Sequence, residues 1–154
     1  MYKNILVPHA GTKAGDKALE HAKEMAKKYD SKITIIHVVE DIQIPPSLTL
    51  DFGKTDLEKE IKQIRNELEK EMYYELNSKA NKLQNEGIPT TIRILHGYPD
   101  QEIIRIINEN NYDIIVMAKR RKLPGLKGIL QLGSISRKVL ERVSCPVLLI
   151  DRER

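Results

Sequence analysis

Short unbroken apolar runs alternate along this chain with longer stretches in which apolar residues recur three or four apart, the patterns of buried strands and core-facing helices. Ile5-Leu6-Val7 is the first run, and Pro8, with no N–H to give to a ladder, ends the strand it predicts over 4–8. Gly11-Thr12 then turns into a helix predicted over 13–29, with Thr12 as N-cap and Asp16 in the first turn. Its stripe of Ala14, Ala18, Leu19, Ala22, Met25 and Ala26 is made mostly of small residues, so this helix can lie close to a sheet.

The second run, Ile33-Thr34-Ile35-Ile36-His37-Val38-Val39, is nearly apolar on both faces, as strands are when helices cover both sides of a parallel sheet. Over 56–85 the residues Leu57, Ile61, Ile64, Leu68, Met72, Leu76, Ala80 and Leu83 predict a helix, explained by a core-facing crossover without invoking the alternative of a coiled coil, and ended by Gly87 as a left-handed stop. A third strand over 90–95, with mixed faces, suits a sheet edge. Pro99, Asp100 and Glu102 open a helix that turns Ile103, Ile104, Ile106 and Ile107 to the sheet and ends at Asn110 and Asn111. A fourth strand over 113–117, a helix over 134–143 and a last strand over 146–150 complete the order. Strand and helix in strict alternation, with right-handed crossovers, give an open three-layer α/β/α domain with a mostly parallel sheet. Ligands of such sheets bind beyond the carboxyl ends of the strands, which directs attention to residues 8–12, 38–41, 96–99 and 117–134.

Composition changes the picture in one place. At 154 residues the chain has the size of one domain, 1–154, and 26 Lys and Arg against 22 Asp and Glu leave a net charge of only +4. From Lys119 onward, however, ten basic residues (Lys119, Arg120, Arg121, Lys122, Lys127, Arg137, Lys138, Arg142, Arg152, Arg154) face three acidic ones, a local excess that suits a small anionic ligand. No reading helix or aromatic stacking surface accompanies it, which argues against nucleic acid as the partner. No apolar run reaches the roughly 20 residues of a membrane span, so no membrane role is expected. A single cysteine, Cys145, permits no internal disulfide, and with no leader pattern at the start the expected setting is the reducing cytoplasm.

Gly133-Ser134, ahead of the last helix, is the strongest local signal for chemistry. Glycine allows a tight turn, the first helical N–H groups lack acceptors and Ser134 adds a hydroxyl, so a phosphate can be cradled there; the plain alternative is Ser134 as N-cap alone. Lys119, Arg120, Arg121 and Lys122 follow the fourth strand, where they either grip phosphate or form a solvated loop. Pro124, Gly125 and Gly128 punctuate that loop before Ile129, Leu130 and Leu132, the marks of a mobile cover with an apolar anchor. The turn Pro8-His9-Ala10-Gly11-Thr12 matches neither a phosphate-loop nor a dinucleotide fingerprint and has no carboxylate, which disfavours a magnesium-dependent phosphoryl-transfer centre there. His9 and His96 both follow strands and can meet in one crevice, but no third ligand completes a zinc site. His37 reads as a buried or edge residue with a hydrogen bond, His21 as a surface or packing residue, and Cys145 as an inert buried thiol. Residues 40–55 read as a loop, either a rim over the crevice or simply flexible.

Taken in order, Tyr2-Lys3-Asn4-Ile5-Leu6-Val7-Pro8, Ile36-His37-Val38-Val39, Gly97-x-Pro99, Asp113-Ile114-Ile115-Val116-Met117, Leu132-Gly133-Ser134 and Ser144-Cys145-Pro146-Val147-Leu148-Leu149-Ile150 make the chain resemble the universal stress protein family. The resemblance implies an adenine nucleotide alpha hydrolase-like fold with a five-stranded parallel sheet of order 3-2-1-4-5, and a homodimer joined through the last strand, Pro146 to Ile150. It also implies a cleft in which ATP or a related nucleotide binds in some members and not in others. Binders carry Gly-x-x-Gly, nine residues, then Gly-Ser or Gly-Thr. Here Gly133-Ser134 remains, but Ala118 and Arg121 take the earlier glycine positions and eleven residues separate Arg121 from Gly133. Binders also tend to have an acid at the first strand tip, where this chain has Ala10.

Carried over on those positions, the implied nucleotide contacts are Pro8, His9, Ala10, Val39 by its backbone, Met117, Lys119, Arg121, Gly133, Ser134 and Ile135, with Mg2+ only alongside bound ATP. No catalytic residue and no resident metal are implied. Two functions stay open: a non-catalytic stress-response or signalling homodimer, and an adenine-nucleotide sensor binding ATP, ADP or AMP with little or no hydrolysis.

Overall fold

A computed structural model describes residues 1–41, 44–48, 54–119 and 133–151. The strands β1 (Asn4–Pro8), β2 (Lys32–Val39), β3 (Thr90–His96), β4 (Ile114–Ala118) and β5 (Val147–Ile150) are joined by the helices α1 (Lys13–Tyr29), α2 (Lys54–Asn85), α3 (Pro99–Glu109) and α4 (Ser134–Arg142). All four strand pairs are parallel and the sheet runs β3-β2-β1-β4-β5, the expected order. The chain leaves central β1 toward β2 on one side and returns to β4 on the other, so the order reverses between β1 and β4.

Alternation along β1 divides the core into two layers. Ile5 and Val7 face α1 and α2, where they pack with Ala18, Leu19, Ala22, Leu76 and Leu83, while Leu6 faces Ile103, Ile106, Ile107 and Val139 of α3 and α4. Each fully buried Val, Leu or Ile among them contributes on the order of 1.5–3 kcal/mol. Thr12 does cap α1, its Oγ1 accepting the Gly15 N–H at 3.1 Å. Gly87 has φ +83 at the end of α2, and β3 is an edge strand, both as the sequence implied.

The long stripe of α2 behaves differently from its expectation. Leu76, Ala80 and Leu83 are buried, but Ile64 is 51% and Leu68 54% exposed. Length explains the break: the 32 residues of α2 span about 48 Å, whereas strands of 5–8 residues extend only about 17–27 Å, so the sheet can cover little more than half the helix. At α4 the N-cap is Gly133, whose carbonyl accepts the Arg137 N–H at 3.1 Å, and Ser134 is the first helical residue rather than the cap. The cluster Arg120, Arg121 and Lys122, the punctuated loop through Leu132, part of the 40–55 loop and the tail from Arg152 lie outside the described residues.

Candidate functional site

At the end of β1 the chain turns through His9, Ala10 and Gly11 into α1, and the His9 side chain is fully buried under that turn. Its backbone N–H donates to the Ile36 carbonyl at 2.8 Å, and its own carbonyl accepts from His37 Nδ1 at 2.8 Å. Gly11 N–H donates to His9 Nδ1 at 3.0 Å. With Nδ1 accepting, the proton of the neutral ring sits on Nε2, which donates to Asp16 Oδ1 at 3.0 Å. Lys79 of α2 reaches the same carboxylate oxygen at 2.9 Å, so one carboxylate ties β1, α1 and α2 together.

Burial pushes the His9 imidazole below its usual value, outweighing the upward pull of Asp16, and the Lys79 charge adds to the lowering, so the ring is neutral. Burial also works to raise Asp16, but hydrogen bonds from Lys79 and His9 win and hold its carboxyl below the usual range. Two glycines make this packing possible. A Cβ on Gly15 would sit 3.0 Å from Cε1 and Nε2 of the His9 ring, and Gly11, at φ +71, would run a Cβ into the Met72 methyl.

Beyond this turn, at the carboxyl ends of β1, β2 and β4, opens a cleft of about 690 Å³, within the usual range of small-molecule sites. Apolar walls come from Pro8, Ile36, Val38, Ile103, Met117 and Ile135, and polar groups from Thr12, Lys13, His37, Glu40, Lys119 and Ser136. Two helices begin at it. Among the described residues, the N–H groups of Lys13 and Ala14 at the start of α1, and of Ile135 and Ser136 at the start of α4, have no acceptor, and all four residues line the cleft. Their orphan donors and the positive helix ends suit an anion. Lys119, which lines the cleft, also approaches Asp151, its Nζ 3.7 Å from Oδ2.

Of the residues implied by sequence, Pro8, His9, Ala10, Met117, Lys119 and Ile135 line this cleft. His9 contributes only wall, since both ring nitrogens, its N–H and its carbonyl are engaged. Val39 is not on the wall: its carbonyl accepts the Gly97 N–H at 3.1 Å, toward β3, while its neighbours Val38 and Glu40 do line the cleft. Gly133 and Ser134 set the start of α4, with Ile135 and Ser136 forming the lining. Arg121 lies outside the described residues. His9 and His96 do not meet, because β2 runs between their strands and His96 Nε2 pairs instead with Glu69 Oε2 of α2 at 2.9 Å. Among the described residues no group of three or more His, Cys, Asp or Glu could hold a metal ion, and no helix is long and apolar enough to cross a membrane.

Lys13, Glu40 and Ser136 escaped the sequence reading. Ser136 had a signal in Ser134-Ile135-Ser136, since the third N–H of a helix is as orphaned as the first. Lys13 was legible as the first residue after an N-cap, where a backbone donor and a side-chain cation coincide. Glu40 follows directly on β2, inside one of the segments marked for attention, but nothing in its spacing distinguished it from a solvated loop acid.

An open α/β/α sandwich with a five-stranded parallel sheet of order β3-β2-β1-β4-β5 matches the adenine nucleotide alpha hydrolase-like fold. Within that class the chain belongs to the universal stress protein family, whose model matches residues 1–151. It is 30% identical over 159 aligned residues to Universal stress protein MJ0577 of Methanocaldococcus jannaschii, covering 99% of this chain and 97% of that protein. Among solved structures, universal stress protein UspA from Lactobacillus plantarum shares the fold with a TM-score of 0.79 at 19% identity, covering 97% of each chain. A universal stress protein family protein from Arabidopsis thaliana, solved with AMP bound, has a TM-score of 0.63 at 20% identity and is matched over 98% of this chain and 92% of that one.

Proposed function

We propose that this protein is a non-catalytic adenine-nucleotide sensor, binding ATP, ADP or AMP in the cleft at the ends of β1, β2 and β4. The observation that carries the reading is the convergence of two helix N-termini and two cationic residues, Lys13 and Lys119, on one largely apolar cleft. Phosphate supplies charge and acceptors to those donors, and a base can lie against Pro8, Val38, Ile103 or Met117. Family membership and the AMP-bound relative support the same ligand class.

Binding without turnover follows from what the strand tip offers. Ala10 has no carboxylate to activate water or fix a metal, and His9 Nδ1, a potential base, already accepts from Gly11 N–H while its Nε2–H is held by Asp16. Mg2+ would arrive only with ATP, on the nucleotide's own phosphates. Between the two functions left open by the sequence, the donor-rich cleft favours the sensor over a module that works through its dimer surface alone. ATP at one hundred times its dissociation constant is expected to stabilise the fold by about 2.7 kcal/mol, which for a chain of this size raises the melting temperature by roughly 5–10 °C. A melting temperature unchanged in several millimolar ATP, with and without magnesium, would refute the reading.

The dimer proposed with it uses β5. Among the described residues this strand pairs only with β4, and Leu148 remains 36% exposed on a sheet edge that invites a second copy. Sedimentation equilibrium is expected to give twice the 17.7 kDa monomer mass, and Leu148→Lys to restore the monomer. A wild-type chain that sediments as a monomer at micromolar concentration would exclude this assembly.

A further inference from the structure

The apolar residues of α2 form two stripes that do different work. Leu76, Ala80 and Leu83 are buried, and Met72 packs half-buried against the same layer of the core. Upstream, Leu57, Ile61, Ile64 and Leu68 follow at intervals of four, three and four, the heptad spacing of a coiled-coil seam. At about 100° per residue these four fall within an arc of about 60°, roughly a quarter turn away from Leu76. Leu57 and Ile61 are half-buried, and Ile64 and Leu68 are more than half exposed. The spacing changes between Leu68 and Met72, where the helix begins to pack on the sheet.

The edge of this seam away from the sheet is acidic. Glu60, Glu67 and Glu71 fill the next arc of about 40°, all exposed, and none has an ion-pair or hydrogen-bond partner among the described residues. Glu67 and Glu71 stand four apart, a like-charge pair that works against an isolated helix. The opposite edge is tied to its own domain, with Arg65 3.3 Å from Asp41 and Glu69 2.9 Å from His96. Tyr74, 70% exposed, follows the acidic row and adds an aromatic ring, a partner suited to cations. The row is a local feature, because the chain as a whole carries +4.

An apolar seam at heptad spacing takes a helix, and an unpaired row of carboxylates selects one with Lys or Arg along the facing edge. A second copy of this chain is a poor occupant. Antiparallel pairing that sets Leu57 against Leu68 and Ile61 against Ile64 also sets Glu60 against Glu67, like charge on like. Parallel pairing needs the Arg65 edge, which is already engaged.

We infer that the projecting half of α2 is a docking face for a basic amphipathic helix of a partner protein. That helix lays its apolar residues on Leu57, Ile61, Ile64 and Leu68 and sets Lys or Arg against Glu60, Glu67 and Glu71. The inference depends on neither the nucleotide cleft nor the β5 edge.

The probe is a fluorescently labelled peptide of three heptads with Leu at a and d and Lys at e and g, compared with the same peptide carrying Glu at e and g. Anisotropy is read on the full chain at about 0.1 M salt, where charges act over only about 10 Å and the acidic row outweighs the net charge. The Lys peptide is expected to bind about tenfold or more tightly than the Glu peptide. Glu60→Gln, Glu67→Gln and Glu71→Gln together are expected to bring the two within about threefold. Ile64→Ser with Leu68→Ser is expected to weaken the Lys peptide by about tenfold or more. All five positions are exposed, so both variants are expected to keep the wild-type melting temperature. Absence of saturable binding, equal binding of the two peptides, or undiminished binding to the Ile64 and Leu68 variant would overturn the proposal. A wild-type oligomer that the Ile64 and Leu68 variant dissociates would make a second copy the occupant and overturn it as well.

Discussion

Replacing His9 with alanine is expected to lower the free energy of unfolding by about 3–4 kcal/mol, read as a shift of the urea midpoint at unchanged slope. The ring has no solvent exposure, so its removal leaves a cavity, and it takes with it the acceptor of the Gly11 N–H and the donor to Asp16. Asp16→Ala is expected to cost less, about 1–3 kcal/mol, since it leaves the ring in place with Nε2–H unpaired. A His9→Ala loss below about 1 kcal/mol would show that the turn does not depend on this network.

The same residue sets a pH dependence. The folded-state value of His9 lies below the ordinary 6.5, so between the two values the unfolded chain binds more protons and stability rises with pH. The contribution is therefore complete above about pH 6.5 and is lost as pH falls through the folded-state value. Asp16, also lowered, acts in the same direction further down, below about pH 3.8. Wild type is expected to lose stability as pH drops from 7 to 5, and His9→Ala to be nearly flat over that interval.

Lys13→Glu combined with Lys119→Met is expected to weaken ATP binding on the order of 100-fold, with a smaller loss for AMP, which carries less charge. Both changes act on side chains of the cleft wall, one exposed and one half-buried, so the fold is expected to tolerate them. Raising salt is expected to narrow the difference, because exposed charges are screened within about 10 Å at 0.1 M ionic strength. Equal ATP affinity in wild type and the double variant would move the phosphate elsewhere.

The sheet was legible in the chain because its evidence is local. Ile5-Leu6-Val7 stopped by Pro8, Thr12 ahead of a small-residue stripe, and Pro99 ahead of Asp100 each specify an element by sterics or capping within a few residues, and the observed bounds fall on or near the expected ones. What was not legible depends on distance in space. Nothing in the spacing of Ile64 and Leu68 states that the sheet beneath α2 runs out before them, nor does the sequence bring Lys79 to Asp16, the carboxylate it shares with His9. His9 looked like site chemistry because it follows a strand; burial and four hydrogen bonds make it a strut. Lys13 and Glu40 were not singled out by their spacing, and only the folding of β1 and β2 side by side brings both to one cleft.

The most direct test of the nucleotide site is an amide chemical-shift titration of the 15N-labelled protein with ATP. The account predicts saturable shifts confined to the cleft, at Ala10, Lys13, Ala14, Lys119, Ile135 and Ser136, with the buried end of α2 around Leu83 unmoved. A titration to several millimolar that moves none of these amides, or moves chiefly those of the β5 edge, would contradict it.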